Sequence, residues 1–534
     1  MPRPGWAAHI ALIGIGAVGA PILAQTTPPV VIQPPSSSEN PAPPPLPAAQ
    51  VPPVNVAVEP PRAGAIDPGF RLDTLAPAPL PVAPGSRAPQ PGAVSLPPPT
   101  ARPLEIDPST DPILQLARNA EPADEFRRQV QHAVDLHPAL EENEAYAEEA
   151  RYALYQQRAA MMPSAEINLI GFQVLGREFG DNSNDNIVER TRAERRFDEL
   201  ATVNQLVTDF GATSRRVEAA GERLRAAALG VDTAAEQVAL NTVAAWYDVY
   251  SLRTILAITE AYRADQERSR RDIEERIRQG ASAPVDAALV ENSLAQLDIR
   301  AARFQQQLAS AEARFRELTG ARPRDGLMRA PELGQIPPSL EAAREAASTT
   351  PATRAARLQA RAAESDAIAT RRDLLPSVSA SVNAGRYGVL ESPRNYDVVA
   401  RITLRQRLFG GLPQRAKAAG AHADALDARA RRIAEENARE AATAFSDLEA
   451  LDRQLEALES AYLATLETRN ATKLRFDATR GTLFDVIDAS DTYYTAAVGY
   501  VQALAQRDAA RYVLLARTGE LLDALEIPVY TLRD

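Results

Sequence analysis

Between Tyr396 and Leu408 apolar and polar positions alternate. Tyr396, Val398, Ala400, Ile402, Leu404 and Leu408 fall on one side of an extended backbone, and Val399, Arg401, Thr403, Arg405 and Arg407 on the other. A period of two predicts a strand with one apolar and one wet face. The run "SVSASVNAGRYG" has the same design, with Val378, Ala380, Val382 and Ala384 against Ser377, Ser379, Ser381 and Asn383. Joined by a loop, the two runs predict a hairpin. A less regular pair precedes them, "SAEINLIGFQVLG" and "FDELATVNQLVTDF" around a polar "GREFGDNSNDN" turn. No neighbouring apolar helix is reserved for the apolar faces of these strands.

After each hairpin the pattern changes to a helical one. No proline interrupts the chain from Ala212 to about Gln279, or from Gln414 to about Thr479, and both stretches are rich in alanine, arginine and glutamate. Each predicts a helix of about 100 Å, at roughly 1.5 Å per residue. Globular domains rarely hold such helices, so these are expected to run side by side as coiled-coil layers or tubes.

The two hairpins and their helices belong to a duplicated unit. Pro138 and Pro351 are 213 residues apart, as are Pro163 and Pro376, so one helix between two prolines recurs at fixed length. Further along, Gly211 pairs with Gly410, Asp286 with Asp485 and Gly320 with Gly519, each 199 apart. One change of register between the two sets, 14 extra residues in the first copy, is how a loop insertion in a duplicated unit behaves. The copies are expected over residues 123–324 and 325–534, each reading helix, β-hairpin, very long helix, break, long helix.

Two segments precede the repeats. Residues 1–24 hold Arg3, the apolar run "AAHIALIGIGAVGAPILA" and a small residue, Ala24, which together predict a secretory signal peptide. Residues 25–122 hold 27 of the 42 prolines; such a segment is extended and partly polyproline II, and is expected to be a disordered periplasmic spacer. A tether or binding strip is the sharper alternative. No later stretch is apolar and long enough to span a bilayer as a helix.

Charge and residue usage narrow the functions. Acidic residues outnumber basic ones by 70 to 59, which argues against a nucleic-acid partner. The chain has no cysteine, and its four histidines (His9, His132, His137, His422) are not spaced as a metal pair. Thiol chemistry is excluded and no zinc or other cofactor is expected. Asp485 and Asp488, three apart in "GTLFDVIDAS", share one helix face close to a helix start. Such a pair suits a cap or a charged ring better than catalysis, because two acids on one face supply neither a closed pocket nor an acid held at raised pKa.

Four strands cannot close a transmembrane barrel, which needs about eight. A membrane reading therefore requires an oligomer, and the spacing does not choose between two and three copies.

From about Phe126 to Leu522 the chain resembles the TolC-like outer-membrane efflux and type I secretion channels. The resemblance rests on "LHPAL", "MMPSAEINL", "DFGATSRRVEAA" and above all "RFDATRGTLFDVIDASDTYYTAAVGYVQALAQRDAARYVLLARTGEL". It implies a mainly α chain with a membrane β part, in which three copies build a twelve-stranded barrel in the outer membrane, in contact with its lipid, continued by an α-helical barrel across the periplasm. It also implies a passive conduit without enzymatic activity, working with a periplasmic adaptor protein and an inner-membrane pump of ABC or RND type, for drug efflux or type I protein secretion. In that family an aspartate ring narrows the tunnel, and Asp485 and Asp488 match its positions. Threefold symmetry would gather six carboxylates, attracting cations and raising their own pKa values.

The resemblance also implies a gate in which an aspartate of the first copy accepts bonds from a tyrosine and an arginine of the second. Asp286 matches the acceptor. Phe476 stands where the tyrosine would be and has no hydroxyl to donate. Gly481 stands in place of the arginine, with Arg480 one residue earlier and expected to reach Asp286. A soluble periplasmic coiled-coil scaffold, its strands forming an ordinary half-buried sheet, is the alternative from another class.

Overall fold

The computed structural model describes residues 96–97, 107–176, 178, 193–390 and 396–532. The expected signal peptide, most of the proline-rich segment and most of the first hairpin's turn lie outside the described residues.

The helices are α1 (Ala123–Leu136), α2 (Pro138–Ala159), α3 (Ala212–Arg278), α4 (Pro284–Thr319), α5 (Leu340–Ala347), α6 (Pro351–Arg372), α7 (Leu412–Asp477), α8 (Leu483–Thr518) and α9 (Leu521–Ala524). Strands β1 (Ser164–Gln173) and β2 (Arg195–Thr208) lie between α2 and α3, and β3 (Ser377–Arg386) and β4 (Tyr396–Arg405) between α6 and α7. Among the described residues no helix is long and apolar enough to cross a membrane.

The duplication is visible in the lengths. α2 and α6 have 22 residues each, α3 and α7 have 67 and 66, and α4 and α8 have 36 each. The prolines mark equivalent boundaries: Pro138 and Pro351 occupy the first turn of α2 and α6, where a missing N–H costs nothing. His137 Nδ1 adds a cap, accepting from the Ala139 amide at 3.1 Å. Pro163 and Pro376 stand directly before β1 and β3, where proline stops a helix and favours extended chain before it.

The repeat register needs one correction. α3 and α7 are capped by Gly211 and Gly411, with φ of +84° and +76°, so the structural partner of Gly211 is Gly411 and not Gly410. The strand-to-helix junctions are 200 residues apart, and the one-residue difference between the long helices brings the offset to 199 at their far ends.

All four strands join one antiparallel sheet in the order β1-β2-β3-β4, because β2 also pairs with β3. The register puts Ile167, Ala201, Ala384 and Val398 in one row, and Ala165, Val203, Val382 and Ala400 in the next. Directly paired residues point to the same face, so one apolar face crosses the sheet. Ser381 and Arg401, and Asn383 and Val399, are paired on the other face. Among the described residues nothing covers the apolar face: Ile167, Val398, Ile402 and Leu404 are 76%, 64%, 79% and 68% exposed. The first hairpin is less regular, as its sequence predicts. Glu199 intrudes on the apolar face, where Arg386 pairs with it at 3.6 Å.

The helices repeat their packing. α2 lies along α3 as α6 lies along α7, and each long helix folds back on a shorter one, α3 on α4 and α7 on α8; α3 also contacts α6 and α8 across the repeats. The main core holds Trp246, with the Phe126 ring edge-on at 5.1 Å and Phe315 at 6.2 Å. The linker between repeats, where the boundary at 324/325 falls, is pinned there: Arg329 makes two bonds to the buried Asp508 carboxylate, one of them from Nη2 at 2.8 Å.

The boundary drawn at residue 122 lies too late. Ile113 and Leu114 are buried in the main core, the Glu121 amide donates to the Arg329 carbonyl at 2.7 Å, and Ala120 bridges to Arg329. Residues 107–122 are thus part of the folded unit. Their apolar side chains are few but fully used.

Candidate functional site: the helix tips

Each long helix ends in a tight turn that starts the next helix. In the first repeat Gly280 takes a left-handed φ of +72°, and the Ala281 amide closes the turn on the Arg276 carbonyl at 2.8 Å. In the second, Thr479 has a φ of +59° and the Arg480 amide closes on the Arg475 carbonyl at 2.9 Å. Glycine adopts that region freely; a β-branched threonine is strained in it.

The aspartates after these turns divide into two kinds. Asp485 stands three residues after Thr482 and forms a reciprocal cap. Its amide donates to Thr482 Oγ1 at 3.2 Å, and its Oδ2 accepts from the Thr482 amide at 3.1 Å. The Thr482 hydroxyl and amide hold its carboxyl below the usual carboxylate range, opposite to the direction expected from crowding in a ring. Asp286, its repeat partner, does similar work: its Oδ2 accepts from the Ala283 amide at 3.2 Å. Capping thus explains Asp286 and Asp485 within one chain. It does not explain Asp488, whose counterpart in the first repeat is Leu289. Asp485 and Asp488 are both exposed. They open onto a groove of about 480 Å³ between α7 and α8, shared with Thr465, Thr468, Thr472 and Arg475.

The expected link from Arg480 to Asp286 is not formed within the chain. Among the described residues no ion pair joins them, and the Asp286 carboxylate is occupied by its own helix start. A different set of groups connects the tips. The Arg276 guanidinium lies over the Phe476 ring at 4.7 Å, and its Nη2 approaches Asp477 Oδ1 at 3.5 Å. Lys473 Nζ holds the same carboxylate oxygen at 2.6 Å. Phe476 therefore offers a ring face in place of a hydroxyl. Beneath it, Ile273 and Val290 of the first repeat pack with Leu483 of the second.

Among the described residues no group of three or more histidines, cysteines or acids is placed to hold a metal. The site is one of fixed charges on paired helix ends.

Comparison with known proteins bears on the fold. Residues 342–520 match the family model of the outer membrane efflux protein. No curated protein matches the chain. Among solved structures, the outer-membrane channel OprN is 19% identical with a TM-score of 0.65, over 82% of this chain and 99% of that one. The CmeC outer membrane channel of Campylobacter jejuni is 14% identical with a TM-score of 0.65, over 74% and 86%. The outer membrane protein VceC of Vibrio cholerae is 16% identical with a TM-score of 0.64, over 74% and 96%. At these identities the likeness establishes the fold over both repeats.

Proposed function

We propose that this chain, whose residues 342–520 match the family model of the outer membrane efflux protein, is the outer-membrane exit duct of a tripartite export system, a passive conduit that reaches into the periplasm. The observation that carries this reading is the sheet. It has one exposed apolar face and two edges, β1 and β4, each with a single neighbour. In lipid such edges must be closed by other strands. Three copies, β4 of one beside β1 of the next, give twelve strands and a lumen lined by the wet face.

Below the barrel, the six long and six shorter returning helices of three copies would continue the wall as a tube of about 100 Å. Such a duct has no energy source of its own, so a periplasmic adaptor and an inner-membrane pump of ABC or RND type complete the system, for drug efflux or type I secretion. Asp488, with Asp485 beside it, forms the cation-attracting ring at the narrow end, and Arg276 with Phe476 and Asp477 holds the tips of each copy together.

Detergent-extracted protein should run as a heat-modifiable oligomer and form cation-preferring channels in planar bilayers. A water-soluble protein without channel activity would overturn the reading in favour of a periplasmic scaffold.

A further inference from the structure

The groove where α3, α7 and α8 meet, close above the tips, already holds a piece of the proline-rich leader. Leu96 and Pro97 lie in it, against Ala261, Tyr262 and Asp265 of α3, Arg469 of α7, and Ser490 and Tyr493 of α8. Leu96 packs on the main core. The Pro97 carbonyl accepts from Arg469 Nη1 at 2.9 Å.

Arg469 is an unusual partner. It is only 4% exposed, and among the described residues no carboxylate lies within 4.0 Å of it to balance its charge. Its other contacts are neutral: Nη2 donates to Asn470 Oδ1 at 2.8 Å, and the guanidinium sits over the Tyr493 ring at 4.4 Å. A buried cation with no carboxylate in contact is costly unless its donors are met; the leader's carbonyl meets one of them, Asp265 and Asp111 favour the charge from further off, and Nε has no partner among the described residues. A second anchor lies two turns up α7, where the Tyr462 hydroxyl donates to Asp111 at 2.9 Å and shares a bond of 3.0 Å with the Tyr493 hydroxyl.

Aromatic rings flanking a side-chain donor that reads a proline carbonyl are the chemistry of polyproline II recognition. The segment that follows Leu96, "PPPT", has the composition for it. From this we infer that the groove is a recognition site for an extended proline-containing segment, filled in cis by the leader at Leu96–Pro97, which straps the first repeat's long helix to the second repeat's helix pair. Arg469 is nine residues above the end of the α7 turn at Ala478, or about 14 Å at 1.5 Å per residue. A strap at that height opposes any movement of one helix pair against the other at the tips.

The chain's lack of cysteine gives a clean test. Leu96→Cys with Ala261→Cys in the full-length protein, mildly oxidised, should form an intramolecular disulfide, seen as a mobility shift without dimers. No disulfide overturns the docking, and a disulfide between copies shows that the groove is filled by a neighbour's leader and overturns the cis strap. This readout does not depend on the protein being a channel. In bilayers, Leu96→Asp should raise the frequency of open events by up to about tenfold, since placing a carboxylate where a partly buried leucine packs on the core weakens docking by about that factor, and the oxidised double variant should suppress opening. Open-event frequencies equal across wild type, Leu96→Asp and the cross-linked protein would overturn the mechanical role while leaving the conduit in place.

Discussion

Thr479 shows how finely the two tips differ. Its left-handed backbone, taken by glycine at the equivalent position 280, costs about 1–3 kcal/mol for a residue with a Cβ. Glycine would lose about 0.5–1 kcal/mol more chain entropy on folding. Thr479→Gly should therefore stabilise the protein by about 1 kcal/mol, read as a rise in thermal midpoint in detergent, and a fall would mean that the threonine is held without strain.

Glu236 on α3 carries the other residue-scale expectation. Burial pushes its carboxyl from 4.5 up to about 8, with Asp232 adding to the rise and Arg517 opposing it. The folded protein thus keeps a proton that the unfolded chain releases. Stability should decline as pH rises from about 4.5 towards 8 and then level off, and Glu236→Gln should flatten that slope. Parallel melting-versus-pH curves for the two proteins would sink the assignment.

At the same scale the sequence was only half readable. It singles out Asp286, Asp485 and Asp488, but spacing cannot separate the two that cap helices from the one that does not. Arg276 and Asp477 escaped because their meeting is a tertiary event between residues 201 apart.

Among the elements, two kinds of ion pair are expected to behave in opposite ways. Arg329 and Asp508 are buried together, so Asp508→Ala leaves the guanidinium with only the half-exposed Glu332 to balance it and should cost about 3 kcal/mol. Arg276 and Asp477 are solvent-accessible, and Arg276→Ala should change stability by less than about 1 kcal/mol. What it should change is leakage: closed-state conductance several-fold above wild type in bilayers, with unchanged conductance counting against a gating role. Element types were legible because periodicity reports them directly, as in the alternation from Tyr396 to Arg405 and the prolines framing α2 and α6. The packing of residues 107–122 was not, since Ile113 and Leu114 make no periodic pattern and sit within proline-rich composition that usually means an extended chain.

For the whole molecule, the aspartate ring exists only if several chains gather around one axis. In planar bilayers Asp488→Ala should lose most of the cation preference at unchanged thermal stability, whereas Asp485→Ala should also lose about 1 kcal/mol with its cap. If cation preference survives the double substitution, the selectivity filter lies elsewhere in the lumen.

The bare apolar face and the two open edges of the sheet also bear on biogenesis. On the proposed reading, each chain would carry a greasy, ladder-ready surface through water between export and assembly, where strand edges readily find wrong partners. The Glu199 and Arg386 charges on that face blunt one end of it only. Delivery to a membrane would then have to outpace self-association, and overproduction should send the excess into aggregates seeded by β1 and β4, however stable the helices are.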